Sequence, residues 1–350
     1  MIELEHWLRA QLPDAPELRI DGLDRVDFGH SAEMMVFTIV TTQAGRDSRR
    51  DVVLRLRPAP PALLEPYDLA KQFTIMGALS GTAVRVPPVL WLEDTGTVLG
   101  REFLVMDRVA GEVFEMAAPQ GRDVTPERIR QMCESMADQL AAIHSVDLQA
   151  TGLDAIGPGR DHLDAELDHW AAEMHRVQRG PLPALERLLQ GLRESRPDPS
   201  PKTTLVHGDA KPGNFAFVGA EVSAVFDWEM AGTGDPLTDI GWMELMWMQP
   251  VGLTSHPDAC TFEEFLARYT ERSGIDAHHR QWYLGFNAFK MAVICLIGSM
   301  LYDSGASDDT RFILNASGIP LLTGLGLGAL AIDDRPDDGP VQPRDRQEMT

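Results

Sequence analysis

Residues 205–243, LVHGDAKPGNFAFVGAEVSAVFDWEMAGTGDPLTDIGWM, form the most informative stretch of this chain. Two short apolar runs, 215–218 and 222–226, stand on either side of Gly219-Ala220-Glu221. Two apolar runs joined by a short turn containing glycine are typical of a β-hairpin. The stretch therefore predicts a two-stranded ribbon with polar loops at its open end.

Three polar side chains meet at that end. Asp209 and Asn214 stand in the loop before the hairpin, and the fold of the hairpin puts Asn214 opposite Phe226, so Asp227 lies beside Asn214. Magnesium-dependent phosphoryl transfer requires such groups: an acceptor for a hydroxyl proton and hard oxygen ligands for Mg²⁺. A single loop Asp or Asn is usually a turn residue, but HGD-x4-N followed by DWE and GDPLTDIGW is a rarer combination that favours a site.

The segment resembles the Brenner motif of the aminoglycoside phosphotransferase/choline kinase-like superfamily, whose members are related to the protein kinases. HGDAKPGN is similar to the kinase catalytic loop H-R-D-x-K-x-x-N, and Asp227 stands where kinases carry the Asp of D-F-G. Within the superfamily, the chain looks like bacterial phosphotransferase family proteins related to the kinase-like domain fused to some acyl-CoA dehydrogenases. The resemblance extends in order across roughly residues 20–320.

This resemblance implies an α+β, bilobal protein-kinase-like fold. A small β-rich nucleotide-binding lobe would occupy residues 1–107, a larger helical catalytic and substrate lobe residues 108–331, and a disordered acidic tail residues 332–350. ATP or GTP would bind in the cleft together with Mg²⁺.

The resemblance also assigns roles to the motif residues. Asp209 would accept the proton of the substrate hydroxyl, and Lys211 would neutralise charge on the transferred phosphoryl group. Asn214 and Asp227 would hold the Mg²⁺. Glu229 would either reach the metal through water or cap the loop, and the sequence does not separate these two roles.

Nucleotide contacts in the N-terminal lobe follow from the same resemblance. Ser31 lies in a predicted turn between two strands, the form of a loop that covers ATP phosphates. Arg55, in the strand DVVLRL, matches the Lys/Arg that contacts the α- and β-phosphates, and Arg57 on the same face is an alternative. Backbone groups near Met106, Asp107 and Val109 would bind the adenine.

The clearest departure from the family pattern lies in the helix predicted after that strand. Gln72 stands where the family carries a Glu that pairs with the strand Lys/Arg, and Gln cannot neutralise Arg55. The expected result is weaker positioning of the phosphates, or pairing of Arg55 through Glu65 or Asp68 instead.

Other residues receive structural interpretations. His144, at the end of a predicted helix over 125–144, is expected to be structural because the site already has a base. Asp235 and Asp239 would brace the catalytic loop. The acceptor pocket would be built from the C-terminal helices, with side chains including Trp242, Glu244, Trp247, Trp282, Tyr283 and Asn287.

The composition and charge of the chain argue against several classes of binding partner. The 350 residues carry a formal charge of −22, which argues against nucleic acid and anionic membrane surfaces because both would be repelled. Three cysteines without C-x-x-C spacing imply neither a disulfide framework nor a zinc site. The N-terminus has no apolar signal segment and the longest apolar run is too short for a bilayer, so a cytoplasmic protein is expected. The sequence does not indicate an oligomeric state.

These observations predict a Mg²⁺-dependent phosphotransferase that phosphorylates a hydroxyl group of a small molecule. The substrate would be an amino alcohol of the aminoglycoside kind or a hydroxyacyl thioester. A catalytically weak, nucleotide-binding regulatory protein is the alternative, motivated by Gln72. A protein kinase comes third, because GDPLTD follows the DWE motif without an A-P-E-like activation segment.

Overall fold

The N-terminal part of the chain folds into a five-stranded antiparallel sheet. The computed structural model describes residues 2–15, 17–26, 33–43 and 45–332. Its sheet strands are β1 (Glu17–Val26), β2 (Glu33–Gln43), β3 (Arg46–Leu56), β4 (Val89–Glu93) and β5 (Phe103–Asp107), in the order β1-β2-β3-β5-β4. The predicted phosphate loop with Ser31, and residues 333–350 of the predicted tail, lie outside the described residues.

Strand β3 begins earlier than the sequence suggested. The polar, mostly charged residues 45–50 predicted a turn before a strand from Asp51, but β3 already starts at Arg46. Arginines on this strand pair with carboxylates of other strands in the sheet: Arg49 with Asp21 of β1, beyond β2, at 2.9 Å and Arg50 with Asp107 of the adjacent β5 at 2.6 Å. Such pairs help a highly charged segment to continue a sheet.

The two faces of the sheet contact different parts of the protein. Because side chains alternate along a strand, Val52 and Leu54 of β3 pack under the N-terminal helix α1 (Ile2–Gln11), whereas Val53 and Arg55 face the opposite side. On that side lies α2 (Leu69–Leu79), which Asp68 caps at its N-terminus. Strand β5 ends at Asp107, the predicted end of the N-terminal lobe, and the boundary itself stays a prediction.

The rest of the described chain is mostly helical, which confirms the predicted α+β architecture. Its helices are α3 (Pro126–His144), α4 (Leu148–Thr151), α5 (His162–Val177), α6 (Pro183–Glu194), α7 (Leu237–Trp247), α8 (Phe262–Ser273), α9 (Arg280–Asp303), α10 (Arg311–Ser317) and α11 (Ile319–Ala329). The same part of the chain also contains five short strands: β6 (Glu112–Val113), β7 (Thr204–Val206), β8 (Phe215–Val218), β9 (Glu221–Val225) and β10 (Gly232–Gly234).

The hairpin predicted from residues 215–226 is present as β8 and β9. The two strands pair antiparallel, and the Phe226 N–H donates to the Asn214 carbonyl at 2.9 Å. Asn214 therefore lies opposite Phe226, as the sequence predicted, and Asp227 follows directly.

Helix α9 is the central helix of the helical lobe. By length and composition alone, Arg280–Asp303 and Arg311–Ala329 are both apolar enough to cross a membrane. In the first of them, 72% of the most apolar window is buried inside the protein, as in the core helix of a packed domain. In the second the buried share is 22%, and its exposed leucines lie at the cleft described below.

Candidate active site

The loop between β7 and β8 places Asp209 at the floor of the cleft. Gly208 has φ +80, and a Cβ there would lie 2.4 Å from the Met230 carbonyl oxygen, so only glycine fits before Asp209. Asp239, in the first turn of α7, accepts the N–H groups of His207 at 2.7 Å and Gly208 at 2.8 Å. The predicted bracing role of Asp239 therefore agrees with the geometry.

Asp235 does not brace this loop. Its carboxylate accepts the Ser200 N–H at 2.7 Å and the Tyr283 hydroxyl at 3.0 Å, and it caps the start of α7 through the Leu237 N–H at 2.9 Å. The expectation for Asp235 was wrong because its side chain points towards the 198–200 connector and α9.

Both carboxylate oxygens of Asp209 accept hydrogen bonds. The Trp242 indole Nε1 donates to Oδ1 at 2.8 Å, and the Asn214 amide Nδ2 donates to Oδ2 at 2.9 Å. The ammonium of Lys211 lies 3.9 Å from the same Oδ2. A carboxylate held from two directions beside a cation is suited to orient a hydroxyl group and accept its proton.

Lys211 is firmly charged. Its Nζ donates to Glu115 Oε1 at 2.9 Å. Burial alone would lower the pKa of Lys211, but the carboxylates of Asp209 and Glu115 raise it above the usual lysine value. The side chain therefore keeps a positive charge beside Asp209 at any physiological pH.

Asp227 and Asn214 offer oxygens to a cation. Asp227 is one of the described residues other than glycine with a left-handed backbone, φ 68, a costly conformation that tends to persist at functional sites. Burial would raise the pKa of Asp227, but Arg55 and Lys211 hold it below the usual value. Because the Asn214 amide nitrogen bonds to Asp209, its amide oxygen is the group left for a ligand.

This donor set fits Mg²⁺ held jointly with phosphates. Mg²⁺ in phosphoryl-transfer sites is usually bound by one or two protein oxygens plus the substrate phosphates and water. Within the described ranges no group of three or more His, Cys, Asp or Glu side chains could hold a metal unaided. A carboxylate and an amide oxygen at the open end of a hairpin match the shared type of site.

Arg55 crosses the cleft instead of pairing within its own lobe. Its guanidinium donates to Asp227 at 2.7 Å, to Glu229 at 2.8 Å and to the Tyr67 hydroxyl at 2.8 Å. Burial opposes its charge, but Asp227, Tyr67 and Glu229 raise the pKa of Arg55 well above the arginine value. Glu229, whose role the sequence left open, holds Arg55 in this structure.

The other expected partners of Arg55 lie elsewhere. Glu65 is 3.9 Å from Arg57, and Asp68 caps α2, so pairing through either of them is wrong. Gln72 is buried, and its amide nitrogen has no hydrogen-bond partner among the described residues. The Tyr67 hydroxyl supplies the contact to Arg55 on the α2 side.

The predicted adenine contacts divide into two groups. Met106 lines the cleft together with its neighbour Arg108. Asp107 and Val109 do not lie in the cleft wall: the Asp107 N–H donates to the Pro88 carbonyl at 2.9 Å, and its carboxylate binds Arg50. The Asp107 N–H is therefore already used within the sheet region.

The cleft has a volume of about 860 Å³ and continues past Asp209 towards the C-terminal helices. That side of its wall is apolar, formed by Trp242, Met246, Met291, Ile294, Cys295, Phe312, Leu314, Leu321 and Leu322. Of the six side chains expected to build an acceptor pocket, only Trp242 lines the cleft. The other five, Glu244, Trp247, Trp282, Tyr283 and Asn287, are engaged elsewhere in the helical lobe.

His144 is structural, as expected. It is fully buried, with Nδ1 2.6 Å from the Tyr269 hydroxyl and Nε2 3.0 Å from Asp239 Oδ2. It therefore supports the aspartate that braces the catalytic loop.

Asp239→Asn is expected to lower the free energy of unfolding by about 1–3 kcal/mol, because an amide cannot satisfy three buried donors. Burial would raise the pKa of Asp239, but His144 and His207 lower it below its value of 3.8 in the unfolded chain. The stabilisation is therefore complete above that value and is lost as pH falls through the lower folded pKa. Denaturant unfolding of both proteins from pH 7 downwards measures this. A stability difference that stays constant down to the lowest accessible pH would contradict the assignment.

Several site residues had no signal in the sequence. Tyr67, Glu115 and Lys290 are single residues outside the motif, and only the fold brings them to Arg55, Lys211 and Gly208, respectively. Trp242 stood within the quoted stretch, three residues after Asp239, and a helix puts such residues on one face. That spacing was the available clue to its contact with the loop.

Comparison with known proteins adds family information. A family model described as "Phosphotransferase enzyme family" matches residues 28–283. The chain is 32% identical over 258 residues to mouse acyl-CoA dehydrogenase family member 10, covering 70% of this chain and 24% of that protein. It is 28% identical over 307 residues to rat acyl-CoA dehydrogenase family member 11, covering 83% of this chain and 39% of that protein. The chain thus spans well under half the length of these curated relatives.

Solved structures share the fold. A Ralstonia eutropha JMP134 protein with a provisional assignment as an aminoglycoside phosphotransferase has a TM-score of 0.73 at 23% identity, covering 94% of this chain and 97% of that one. The aminoglycoside phosphotransferase APH(4)-Ia, in a ternary complex with AMP-PNP and hygromycin B, has a TM-score of 0.60 at 17% identity, covering 94% and 98%. At these identities the likeness shows a common fold.

Proposed function

The chain belongs to the phosphotransferase enzyme family, and on that premise we propose that it transfers the γ-phosphoryl group of ATP, with Mg²⁺, to a hydroxyl group of a small molecule that carries an acyl chain. The observation that carries the proposal is the convergence of Asp209, Lys211, Asn214 and Asp227 on one cleft. These four residues supply a base, a cation and two oxygen ligands. Together they are the minimum for phosphoryl transfer by positioning and electrostatics.

In this mechanism each residue has a separate task. Asp209 orients the acceptor hydroxyl and takes up its proton, since both of its oxygens are already fixed by donors. Lys211, charged and next to Asp209, offsets the negative charge of the transferred group. Asn214 and Asp227 would hold Mg²⁺, which when bound neutralises phosphate charge.

The acceptor side of the cleft favours an amphipathic substrate. Among the described cleft-lining residues of α7, α9, α10 and α11, none is acidic, and most are aliphatic or sulfur-containing. Leu314 and Leu321 are 73% and 77% exposed although they lie at this wall. An aminoglycoside carries several ammonium groups that need carboxylate partners, whereas an acyl chain would cover these leucines. A hydroxyacyl thioester therefore suits the wall better than an amino alcohol.

A chain-length series tests the substrate class. With MgATP and hydroxyacyl-CoAs of roughly four to twelve carbons, KM for the acceptor is expected to fall by about fourfold for each methylene that enters the apolar wall. Phosphorylated product is measured by mass spectrometry, with hygromycin B as the aminoglycoside control. Turnover of hygromycin B with no effect of acyl length would contradict the acyl-chain proposal.

Nucleotide binding is measured on the same protein with and without Mg²⁺. Failure to bind ATP at millimolar concentration would overturn the kinase proposal as a whole. Binding of MgATP without transfer to any acceptor would instead support the regulatory alternative. Gln72, whose amide nitrogen has no hydrogen-bond partner in the part of the chain that the structure describes, motivates that alternative.

A further inference from the structure

Lys290 contacts the backbone of the catalytic loop but is not among the described residues that line the cleft. It is 3% exposed, and its Nζ donates to the Gly208 carbonyl at 2.7 Å, one residue before Asp209. A buried ammonium needs compensation for its lost hydration. Here the compensation comes from an enclosure formed by the Gly208 carbonyl, two indole rings and one carboxylate.

Two indole rings form the walls of this enclosure. The Lys290 Nζ lies 4.7 Å from the ring centre of Trp242 and 5.6 Å from that of Trp170. Glu166 Oε2 is 4.0 Å away and also accepts the Trp170 indole N–H at 3.0 Å. Lys290 therefore sits between two aromatic faces, where a cation is attracted by the ring quadrupole.

The Trp242 ring connects this cation to the catalytic carboxylate. Its face receives Lys290, and its indole N–H donates to Asp209 Oδ1 at 2.8 Å. A cation on the ring face draws electron density away from the indole nitrogen, which makes the N–H a stronger donor. Trp242 itself is 2% exposed, so packing holds the ring in this position.

One face of α7 thus binds both the backbone of the catalytic loop and the side chain of Asp209. Asp239 and Trp242 are three residues apart on α7, one binding the backbone N–H groups of His207 and Gly208, the other the Asp209 carboxylate. Lys290, on α9, also binds the loop backbone by donating to the Gly208 carbonyl. We propose that Trp242, in the cleft wall, and Lys290, packed on its ring, are positioning residues that fix the rotamer and hydrogen bonding of the Asp209 carboxylate.

This inference rests on the proposed function, because it assigns Asp209 as the base. The direct test replaces Trp242 by 3-benzothienylalanine, which keeps the ring shape and removes the N–H donor. Turnover is expected to fall about ten- to a hundredfold, the usual effect of losing one hydrogen bond to a charged group, with KM for MgATP unchanged. Hydroxyacyl-CoAs serve as the acceptor probe.

Trp282 provides the matched control. Its indole is also buried, at 4% exposed, and its N–H donates to the Leu192 carbonyl at 3.0 Å in the helical core. The same replacement there removes a comparable bond away from the site. A fall in turnover confined to position 242 supports the proposal, whereas equal effects at both positions would assign Trp242 a merely structural role.

Lys290→Met tests the second proposed positioning residue. It keeps the length of the side chain but removes the charge on the Trp242 ring. We expect lower turnover at unchanged KM for MgATP, and an upfield shift of the Trp242 indole N–H resonance in ¹⁵N-labelled protein. Unaltered turnover together with an unaltered resonance would remove Lys290 from the proposal.

The resonance also separates this inference from the proposed function. If the unaltered chain transfers phosphate to none of the acceptors, the kinase proposal fails, yet the Trp242 N–H signal still reports the contact. It is assigned by its loss in the 3-benzothienylalanine protein, and Asp209→Ala is expected to shift it upfield and speed its exchange with D₂O. A signal indifferent to Asp209→Ala would overturn the positioning inference.

Discussion

Asp209→Asn should lower turnover by about 10²–10⁴-fold, the usual contribution of a general base, while affinity for MgATP changes by less than about threefold. Turnover and nucleotide affinity should respond differently because of the contacts that Asp209 makes. Its carboxylate bonds to Trp242 and Asn214, and the cation nearest to it is Lys211 at 3.9 Å. The substitution therefore removes the proton acceptor without changing the groups proposed to hold the nucleotide.

Single-turnover transfer to a hydroxyacyl-CoA and calorimetric titration with MgAMP-PNP separate the two quantities. Asp138→Asn is a suitable control because Asp138 is a partly buried aspartate of α3 that binds Arg268 and does not line the cleft. Unchanged turnover in Asp209→Asn would exclude Asp209 as the base. A parallel loss of nucleotide affinity would assign it to binding instead.

Asp227→Asn is expected to act through the metal. Asn tolerates the left-handed backbone at this position, so the fold is retained. Loss of the carboxylate charge removes a ligand proposed for Mg²⁺ and should reduce turnover by about 10²–10³-fold or more. It should also move the midpoint of Mg²⁺ activation to a concentration at least about tenfold higher, since a neutral amide is a weaker ligand.

Glu229→Gln is the matched control, because Glu229 binds the same Arg55 guanidinium as Asp227. If Asp227 acted only by holding Arg55, both variants would lose activity alike and neither would shift the Mg²⁺ midpoint. A shift confined to Asp227→Asn therefore identifies the metal ligand. Identical midpoints in all three proteins would contradict that role.

The hairpin and the catalytic loop were predictable because their signals are local. The pairing of Phe226 with Asn214 follows from turn length and strand alternation, and the bracing by Asp239 was implied by the family resemblance of the motif that contains it. The helix that ends at His144 was predictable from its apolar periodicity and the Thr125 cap. In each case the interacting residues lie within one short segment or one motif.

Contacts between distant segments were not predictable in the same way. Arg55 and Asp227 are 172 residues apart, and the sequence offered Glu65 and Asp68 as nearer partners for Arg55. In the fold, the segment before α2 presents the Tyr67 hydroxyl to Arg55, and the DWE turn presents two carboxylates from across the cleft. The residues predicted for the acceptor wall were also mostly wrong, because aromatic residues of α9 fill the core instead of lining the cleft.

The bridge from Arg55 to Asp227 and Glu229 means that this guanidinium already has carboxylate partners before any ligand arrives. A nucleotide with its metal would not simply add to an open positive site; it would exchange counter-ions, with phosphate replacing carboxylate around Arg55 and Mg²⁺ replacing Arg55 at Asp227. Because phosphate would have to displace carboxylates already bound to Arg55, affinity should depend on ionic strength less steeply than it would for a bare arginine facing phosphate. A bound nucleotide would thereby change the partners of the guanidinium that joins β3 to the DWE turn.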